Sequence, residues 1–421
     1  MVEERCTDVA IDWRTGTWRA EGAAGGRSAR LTVASDWGPR GLAYEPHLLA
    51  RPEGIYGDLL PLLRGSDLNI VNVESVLGTA GAPILKGGPN LRGDEGTVRA
   101  LTAVPFHVAC LANNHALDYG PEGLAHTLSV LQGAGLRTVG AGLTGEEAAR
   151  TLTVMAGDAR VGMIDCAEGE EARSRDGGPG VNGLDLPRIE RQVAALKREV
   201  DLVLVVFHGG REYTPVPPPY VLQDLRQIAE AGADAIVAHH PHVPQGIEVC
   251  SGVPIAYSLG NFVFWQGSDC FYQRAGYLFH LDLVGTKVAG FSLSPYLLQP
   301  EGLALMQGQA KKAFLRDLAR VSEVLQDPRG VLAVWDAFIE YNGGAEAYWR
   351  DMIPHIEGLT SDPVQHAPGL LNRLVTPAHR ELYVRSLRRL LEGEPSPPEW
   401  ARELVACWRT RRLDEVVPKA S

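Results

Sequence analysis

The run Asp234-Ala-Ile-Val-Ala-His-His-Pro-His242 places three of the chain's twelve histidines within four positions. Imidazole is a good ligand for borderline divalent metals such as zinc, manganese and iron. Residues 235–238 are apolar and predict a short buried strand that stops at the histidines. Pro241 ends that strand and restricts the backbone around it. Histidine clusters that merely decorate a surface rarely cap an apolar strand.

Five more apolar runs end in the same kind of residue. Residues 31–35 lead into Asp36, and residues 68–73 end in Asn72 and Glu74. Asn72 and Glu74 share a face because strand side chains alternate. Residues 106–112 lead to Asn114 and His115, residues 202–207 to His208, and residues 254–259, the last strand of the set, to Asn261. Helical spacing lies between many of these runs, at 53–64, 121–132, 187–199 and 220–231. Strands alternating with helices predict a largely α/β sheet, and in such sheets ligands gather outside the carboxyl ends of the strands. One polar strand end means little. Six of them make a shared site the economical reading.

The connecting segments add further candidates. Residues 78–96 form a glycine-rich loop carrying Lys86 and Arg92, and residues 168–183 read as a polar loop. Arg40 follows Asp36 closely and could clamp an anionic group, or could be a solvated loop arginine. Lys86, Arg92 and Arg211 are weaker versions of the same idea. Asp118 and Glu212 fit a role in orienting ligand histidines. Asn261 fits either substrate binding or bracing of the histidine loop. His47, His107, His126 and His280 stand in no motif and read as structural or exposed. Residues 1–21 alternate weakly about Thr15-Gly16 and suggest a short hairpin. From about Gly302 strand-like runs disappear, and helical spacing fills 311–325, 331–341, 345–356, 377–391 and 398–409. Residues 1–300 are therefore expected to form the core, and 301–421 a helical C-terminal region packing on it.

Composition narrows the partners. The chain has 421 residues, 45% hydrophobic and 22% charged, as a water-soluble globular protein does. A net charge of −11 with no long basic run argues against nucleic acid and anionic membrane as partners. The expected partner is a small-molecule or peptide substrate. The six cysteines form no CxxC pair, and no window offers the ~20 apolar residues of a membrane span. A cytoplasmic location is expected.

Five motifs carry a resemblance. They are Asn72-Val-Glu74, Ala112-Asn-Asn-His-Ala-Leu-Asp118-Tyr-Gly120, His208-Gly-Gly-Arg-Glu212, His239-His-Pro-His-Val243 and Tyr257-Ser-Leu-Gly-Asn-Phe262. In order and spacing they resemble the CapA family of poly-γ-glutamate capsule biosynthesis proteins, a branch of the calcineurin-like metallophosphoesterase superfamily. The resemblance covers about residues 31–264. It implies a four-layer α/β/β/α metallophosphoesterase-like sandwich with one or two divalent transition-metal ions (manganese, zinc or iron) at the strand ends.

Carried over motif by motif, the resemblance implies that Asp36 and His242 hold one metal. Asn114, His208 and His240 would hold the other, with Glu74 bridging. His115 would act as a general acid, with Asp118 and Glu212 in catalytic support. Arg40, Asn261 and Arg211 would meet the substrate. The implied activity is that of a metal-dependent hydrolase, using a metal-activated water on a phosphoester or an amide, γ-glutamyl amides included. The alternative is a γ-glutamyl polymer or peptide biosynthesis component that uses the metal for substrate binding or acyl transfer. Two departures carry consequences. Gly38 stands where the wider superfamily has a histidine, which leaves the first metal short of a ligand. Gly209 replaces the tryptophan usual in the family, which is expected to widen or reshape the pocket wall.

Overall fold

The strands that end in the candidate residues are buried on both faces and fall into two sheets. The computed structural model describes residues 11–23, 25–39 and 41–417. The larger sheet has nine strands and the smaller six. In the larger, Leu68–Val73 lies between Ala29–Trp37 and Val108–Cys110, all parallel. In the smaller, Leu202–His208 lies between Ala159–Ala167 and Ala235–His239, again parallel. Parallel strands covered on both faces read as unbroken apolar runs, as Leu202–His208 and Ala235–His239 do.

The two sheets pack face to face. Val33 and Ile70 of the larger share one core with Met163, Leu204 and Val237 of the smaller. The outer face of the larger sheet (Ala34, Val71, Ala109) is covered by Tyr44, Leu48, Leu101 and Leu124. These come from the helices Gly41–Ala50, Val98–Ala103 and Gly120–Gly133. The outer face of the smaller sheet is covered by Leu186–Leu196 and Pro219–Glu230, through residues such as Ile189, Val193, Leu225 and Ile228. The result is the four-layer α/β/β/α sandwich. Parallel pairing turns the carboxyl ends of both sets of strands toward one edge, so Asp36, Glu74, His208 and the 239–242 histidines converge there.

The structure departs from the sequence expectation in four places. The sheet does not end near residue 259. Ala275–Val284 and Lys287–Gln299 form a long antiparallel hairpin beside Ala29–Trp37, and Gly302–Leu305 adds a further strand. Thr17–Arg19, the second arm of the short hairpin expected about Thr15-Gly16, is bridged antiparallel to Asp12 but also joins the larger sheet by pairing with that long hairpin; the part of its first arm in residues 1–10 lies outside the described residues. The helix expected over 53–64 is a 3-10 segment, Gly54–Leu59, followed by Leu60–Arg64. Pro363–Val375 is a helix although it contains Pro368 and Gly369; Asp362 caps it by accepting from Gln365 N, and Pro363 fits its first turn.

Among the described residues six α-helices follow the last strand, from Gly308–Leu325 to Glu399–Thr410. The stripe Leu315, Leu318, Val321 and Leu325 is buried in the inter-sheet core cluster. Ser322 Oγ accepts from the Ile247 amide at 2.9 Å. Trp408 stacks on Tyr272 with centroids 3.8 Å apart, and its indole N–H donates to the Pro244 carbonyl at 3.0 Å. Pro244 lies two residues past His242, so the last helix is fastened directly behind the histidine turn.

This fastening predicts a clear stability loss. Trp408→Ala removes a buried indole and should cost about 3–5 kcal/mol in a urea titration. Trp408→Phe keeps the stacking but strands a buried carbonyl, and should cost about 1–3 kcal/mol. An alanine variant within ~1 kcal/mol of wild type would show that the last helix is not anchored in this way.

Candidate metal centre

Asp36 and Glu74 lie at neighbouring strand ends with no exposed surface. The Asn72 amide nitrogen donates to Asp36 Oδ1 at 2.8 Å and also approaches His208 Nδ1 at 3.2 Å. His208 Nε2 is 3.0 Å from Asn114 Oδ1, 3.2 Å from His240 Nδ1 and 3.4 Å from Glu74 Oε1. His242 Nδ1 is 3.8 Å from Asp36 Oδ2. Two triads emerge, Glu74–His208–His240 and Asp36–Glu74–His242, each with one ligand atom per residue within 4.8 Å of the others. Glu74 belongs to both.

The electrostatics of this cluster suit a cation. Burial pushes the Asp36 carboxyl up to about 6, and the adjacent Glu74 carboxylate adds to the effect. Burial holds the His208 and His240 imidazoles well below their ordinary value, reinforced by neighbouring imidazoles. Burial also depresses His242, but the Glu74 and Asp36 carboxylates outweigh it and lift the group above its ordinary value. Two buried carboxylates among largely neutral imidazoles leave the site short of positive charge. Carboxylate oxygen and neutral imidazole nitrogen are the donors that divalent transition metals take.

The histidine turn is held in an uncommon backbone. His240 has φ of +100° and His242 of +57°, with Tyr213 alongside at +62°. Non-glycine residues in this region cost of order 1–3 kcal/mol each and persist where the surroundings over-determine them. The surroundings here are explicit. Asn261 Nδ2 donates to the carbonyls of His242 (3.2 Å) and Gln273 (3.1 Å), so its Oδ1 accepts from His242 Nδ1 at 2.9 Å. Phe264 stacks on the His242 ring at 4.8 Å. Position 38 has no room for a histidine: a Cβ on Gly38 would lie 2.6 Å from the Phe264 ring. His239 points elsewhere, its Nδ1 3.3 Å from Ser35 Oγ.

His115 stands at the rim. Its Nε2 is 4.0 Å from Glu74 Oε1, and its Nδ1 is 2.7 Å from Asp118 Oδ2. An ionised carboxylate can only accept, so Nδ1 carries the proton and Nε2 faces the centre. Asp118 is itself held by Lys86, whose Nζ donates to Asp118 Oδ1 at 2.8 Å and to the Asn114 carbonyl at 2.9 Å. Lys86 is therefore committed to supporting this dyad. Arg92 is committed too, to the Ala80 and Gly81 carbonyls and the Tyr119 ring.

A cavity of about 290 Å³ opens on the cluster, lined by His115, His240, His242, Arg211 and Glu212 among others. Burial opposes ionisation of Glu212, but Arg211 and the imidazoles of His240 and His242 outweigh it and hold the carboxyl down to about 2. Arg40 lies outside the described residues. Gly209 does not widen the pocket as expected: a Cβ there would meet Phe207 at 2.6 Å and Glu168 at 2.8 Å, so those side chains fill the space. His107, His126 and His280 sit away from the centre, partnered by Asn69, Glu95, and Thr32 with Ser294.

Several residues of the site were not legible as such. Asn113 Nδ2 ties Asn72 Oδ1 (3.1 Å) to the Val73 carbonyl (2.9 Å). Asp165 Oδ2 accepts from the Leu111 and Ala112 amides at 2.9 and 2.8 Å, which fixes the strand end that presents Asn114. Asn372 and His379, from the C-terminal helices, line the cavity. Asn113 lies within the Ala112–Gly120 motif, but its bracing role was not legible there. Asn372 and His379 stand in no pattern that sequence reading could use.

Comparison with known proteins supplies the family. The model described as bacterial capsule synthesis protein PGA_cap matches residues 27–266. The chain is 33% identical over 239 residues to the PGA biosynthesis protein CapA of Bacillus subtilis (strain 168), covering 55% of this chain and 62% of that one. It is 34% identical over 205 residues to the capsule biosynthesis protein CapA of Bacillus anthracis, covering 47% and 50%. The chain thus spans less than two-thirds of the length of these relatives. A solved 5'-nucleotidase from Candida albicans SC5314 aligns at 13% identity with a TM-score of 0.38, over 72% of this chain and 59% of that one. Among the described residues, no helix is long and apolar enough to cross a membrane. Both triads, with His115, Asn114 and Asn261, lie inside the matched segment. The chain belongs to the bacterial capsule synthesis protein family PGA_cap, the CapA family.

Proposed function

We propose that this chain is a metal-dependent hydrolase of the CapA-like branch. Residues 1–300 form the core that carries the centre, and residues 301–421 form a helical region that borders it. The observation that carries the reading is the pair of buried donor triads sharing Glu74. In this reading Asp36 and His242 hold one ion, Asn114, His208 and His240 hold the other, and Glu74 serves both. Bound divalent ions would polarise a phosphoryl or acyl oxygen and acidify water at neutral pH.

The chain's own groups supply the rest. His115, with its proton parked on Nδ1 by Asp118, presents Nε2 toward the position of a leaving group and serves as proton shuttle. Lys86 holds Asp118 in place. Glu212, ionised beside Arg211, steadies the imidazoles that face it. Asn261 locks the His242 tautomer. Arg211 and Arg40 take the anionic part of the substrate. The substrate is a phosphoester or an amide, γ-glutamyl amides included. The second reading, a component that binds or transfers γ-glutamyl chains, draws on the relatives named for PGA biosynthesis.

Elemental analysis after incubation with manganese or zinc should find roughly one or two ions per chain. The triad of Glu74, His208 and His240, completed by Asn114, should fill first. His208→Ala and His240→Ala should empty it, whereas His115→Ala should keep metal. Loss of metal from His115→Ala as readily as from His240→Ala would make His115 a ligand.

The loaded protein, offered generic phosphodiesters and γ-glutamyl peptides, should hydrolyse one class. His115→Ala should slow that turnover about 10²–10⁴-fold. Binding of γ-glutamyl peptides without turnover would favour the second reading, and absence of metal under all loading conditions would sink both.

A further inference from the structure

The cavity over the metal centre is not closed. It shares Lys86, Gly87, Gly88, Arg211, Asn372 and His379 with an adjoining chamber of about 560 Å³. That outer chamber runs between the 84–88 segment and three C-terminal helices, Gly344–Gly358, Pro363–Val375 and Pro377–Glu392. These helices lie outside the residues matched by the family model, whereas the 84–88 segment and Arg211 lie inside them, so the outer chamber is walled by both.

Arg211 stands at the neck between the two chambers. Its Nη1 donates to His379 Nε2 at 2.6 Å, while its Nε is buried with no partner in the protein. Among the described residues it forms no ion pair with a carboxylate within 4 Å. Two other guanidiniums of this region do: Arg373 reaches Asp351 at 2.6 Å and Arg385 reaches Asp336 at 2.7 Å. Burial pulls His379 down to about 4, so it accepts as a neutral base and cancels none of the Arg211 charge. The carboxyls nearby are already engaged. Asp351 is held by Arg373, and Glu170 accepts from Asn372 Nδ2 at 3.0 Å, with burial pushing it up to about 8. Glu212, on the metal side, offsets part of the Arg211 charge at a distance but makes no ion-pair contact with it within 4 Å, so the Nε edge stays open. A buried N–H without a partner costs as much as a lost hydrogen bond unless a ligand supplies the acceptor. The free edge of a guanidinium is shaped for a bidentate carboxylate or phosphate.

We propose that the neck at Arg211 is an anion subsite for a substrate longer than the inner chamber. One acidic group, a carboxylate or a phosphate, sits on the open Nε edge of Arg211 while the reacting bond lies at the metal centre. The remainder of the substrate runs out beneath the C-terminal helices. The proposal rests on the hydrolase reading for the position of the reacting bond, and it assigns the helical extension a part in selecting substrates by length and charge.

Equilibrium binding to the metal-loaded full chain tests it without requiring turnover. Two probe series are compared: N-acetylglutamate against a γ-linked glutamate tetramer, and inorganic phosphate against tripolyphosphate. The longer member of one series should bind at least about tenfold more tightly than the shorter, and the series that shows the advantage identifies the acidic group. In Arg211→Gln the advantage should shrink to about twofold or less, with metal content unchanged, and Arg211→Lys should restore only part of it. His355→Glu, which sets a carboxylate in the outer chamber away from the centre, should weaken only the longer probe. Equal binding of long and short probes in both series, or an advantage untouched by Arg211→Gln and His355→Glu alike, overturns the subsite. A protein that hydrolyses nothing yet keeps the Arg211-dependent advantage loses the hydrolase reading and keeps the subsite. One that hydrolyses short substrates without any length advantage does the reverse.

Discussion

Two carboxylates buried side by side are the constraint on which this molecule turns. Asp36 and Glu74 have no exposed surface, and each sits at the end of a parallel strand whose neighbour carries the other. Like charges in a low-dielectric setting repel strongly, and neutral imidazoles do little to offset them. The surrounding groups act on that deficit only in part. The Asn72 amide donates to Asp36, and His242 is lifted toward its charged form by both carboxylates. The arrangement is satisfied by positive charge placed between the triads, and the rest of the fold supports the groups that would receive it.

That support comes from two directions. On the larger sheet's side, Asn113 and Asp165, the latter reaching across from strand Ala159–Ala167 of the smaller sheet, hold the strand end that delivers Asn114 and His115, and Lys86 closes behind Asp118. From the smaller sheet, the strained His240–His242 turn is clamped by Asn261 in front and by Trp408 through Pro244 behind. Backbone strain of this kind is retained only where packing leaves no alternative. Here that packing includes the last helix of the chain, some 165 residues beyond the turn. The helical extension is thus part of the mechanics of the centre, even though it contributes no donor to either triad.

The two glycines, Gly38 set against the wider superfamily's pattern and Gly209 against the family's, have different physical meanings. The missing side chain at Gly38 is answered by the Phe264 ring, which occupies the space and stacks on His242. One donor is exchanged for an apolar contact, so the Asp36 side keeps three donors while the other side gathers four, counting Asn114. The missing side chain at Gly209 is answered by Phe207 and Glu168, which fill the gap without touching the cavity. Both glycines are packing solutions, and only the first bears on coordination.

The chain alone determined the strands that carry the candidate donors and nearly every residue of the two triads that the structure brings together. Buried parallel strands are legible as apolar runs such as residues 202–207 and 235–238, and a polar residue ending such a run has few roles other than a site. Helices with strong caps and apolar stripes were legible for the same local reason. Sequence could not decide what depends on approach between distant segments. The hairpin Ala275–Val284 with Lys287–Gln299 mixes polar and apolar residues because its strands meet different neighbours along their length. Pro363–Val375 hid behind an internal proline that tertiary packing tolerates. The widening expected at Gly209 failed because Phe207, from the strand just before it, and Glu168, from a distant segment, fill the space. Above all, the meeting of Arg211 with His379, 168 residues apart, has no local signature. Side-chain periodicity records whether a residue is buried, and only the folded chain determines which groups share that burial.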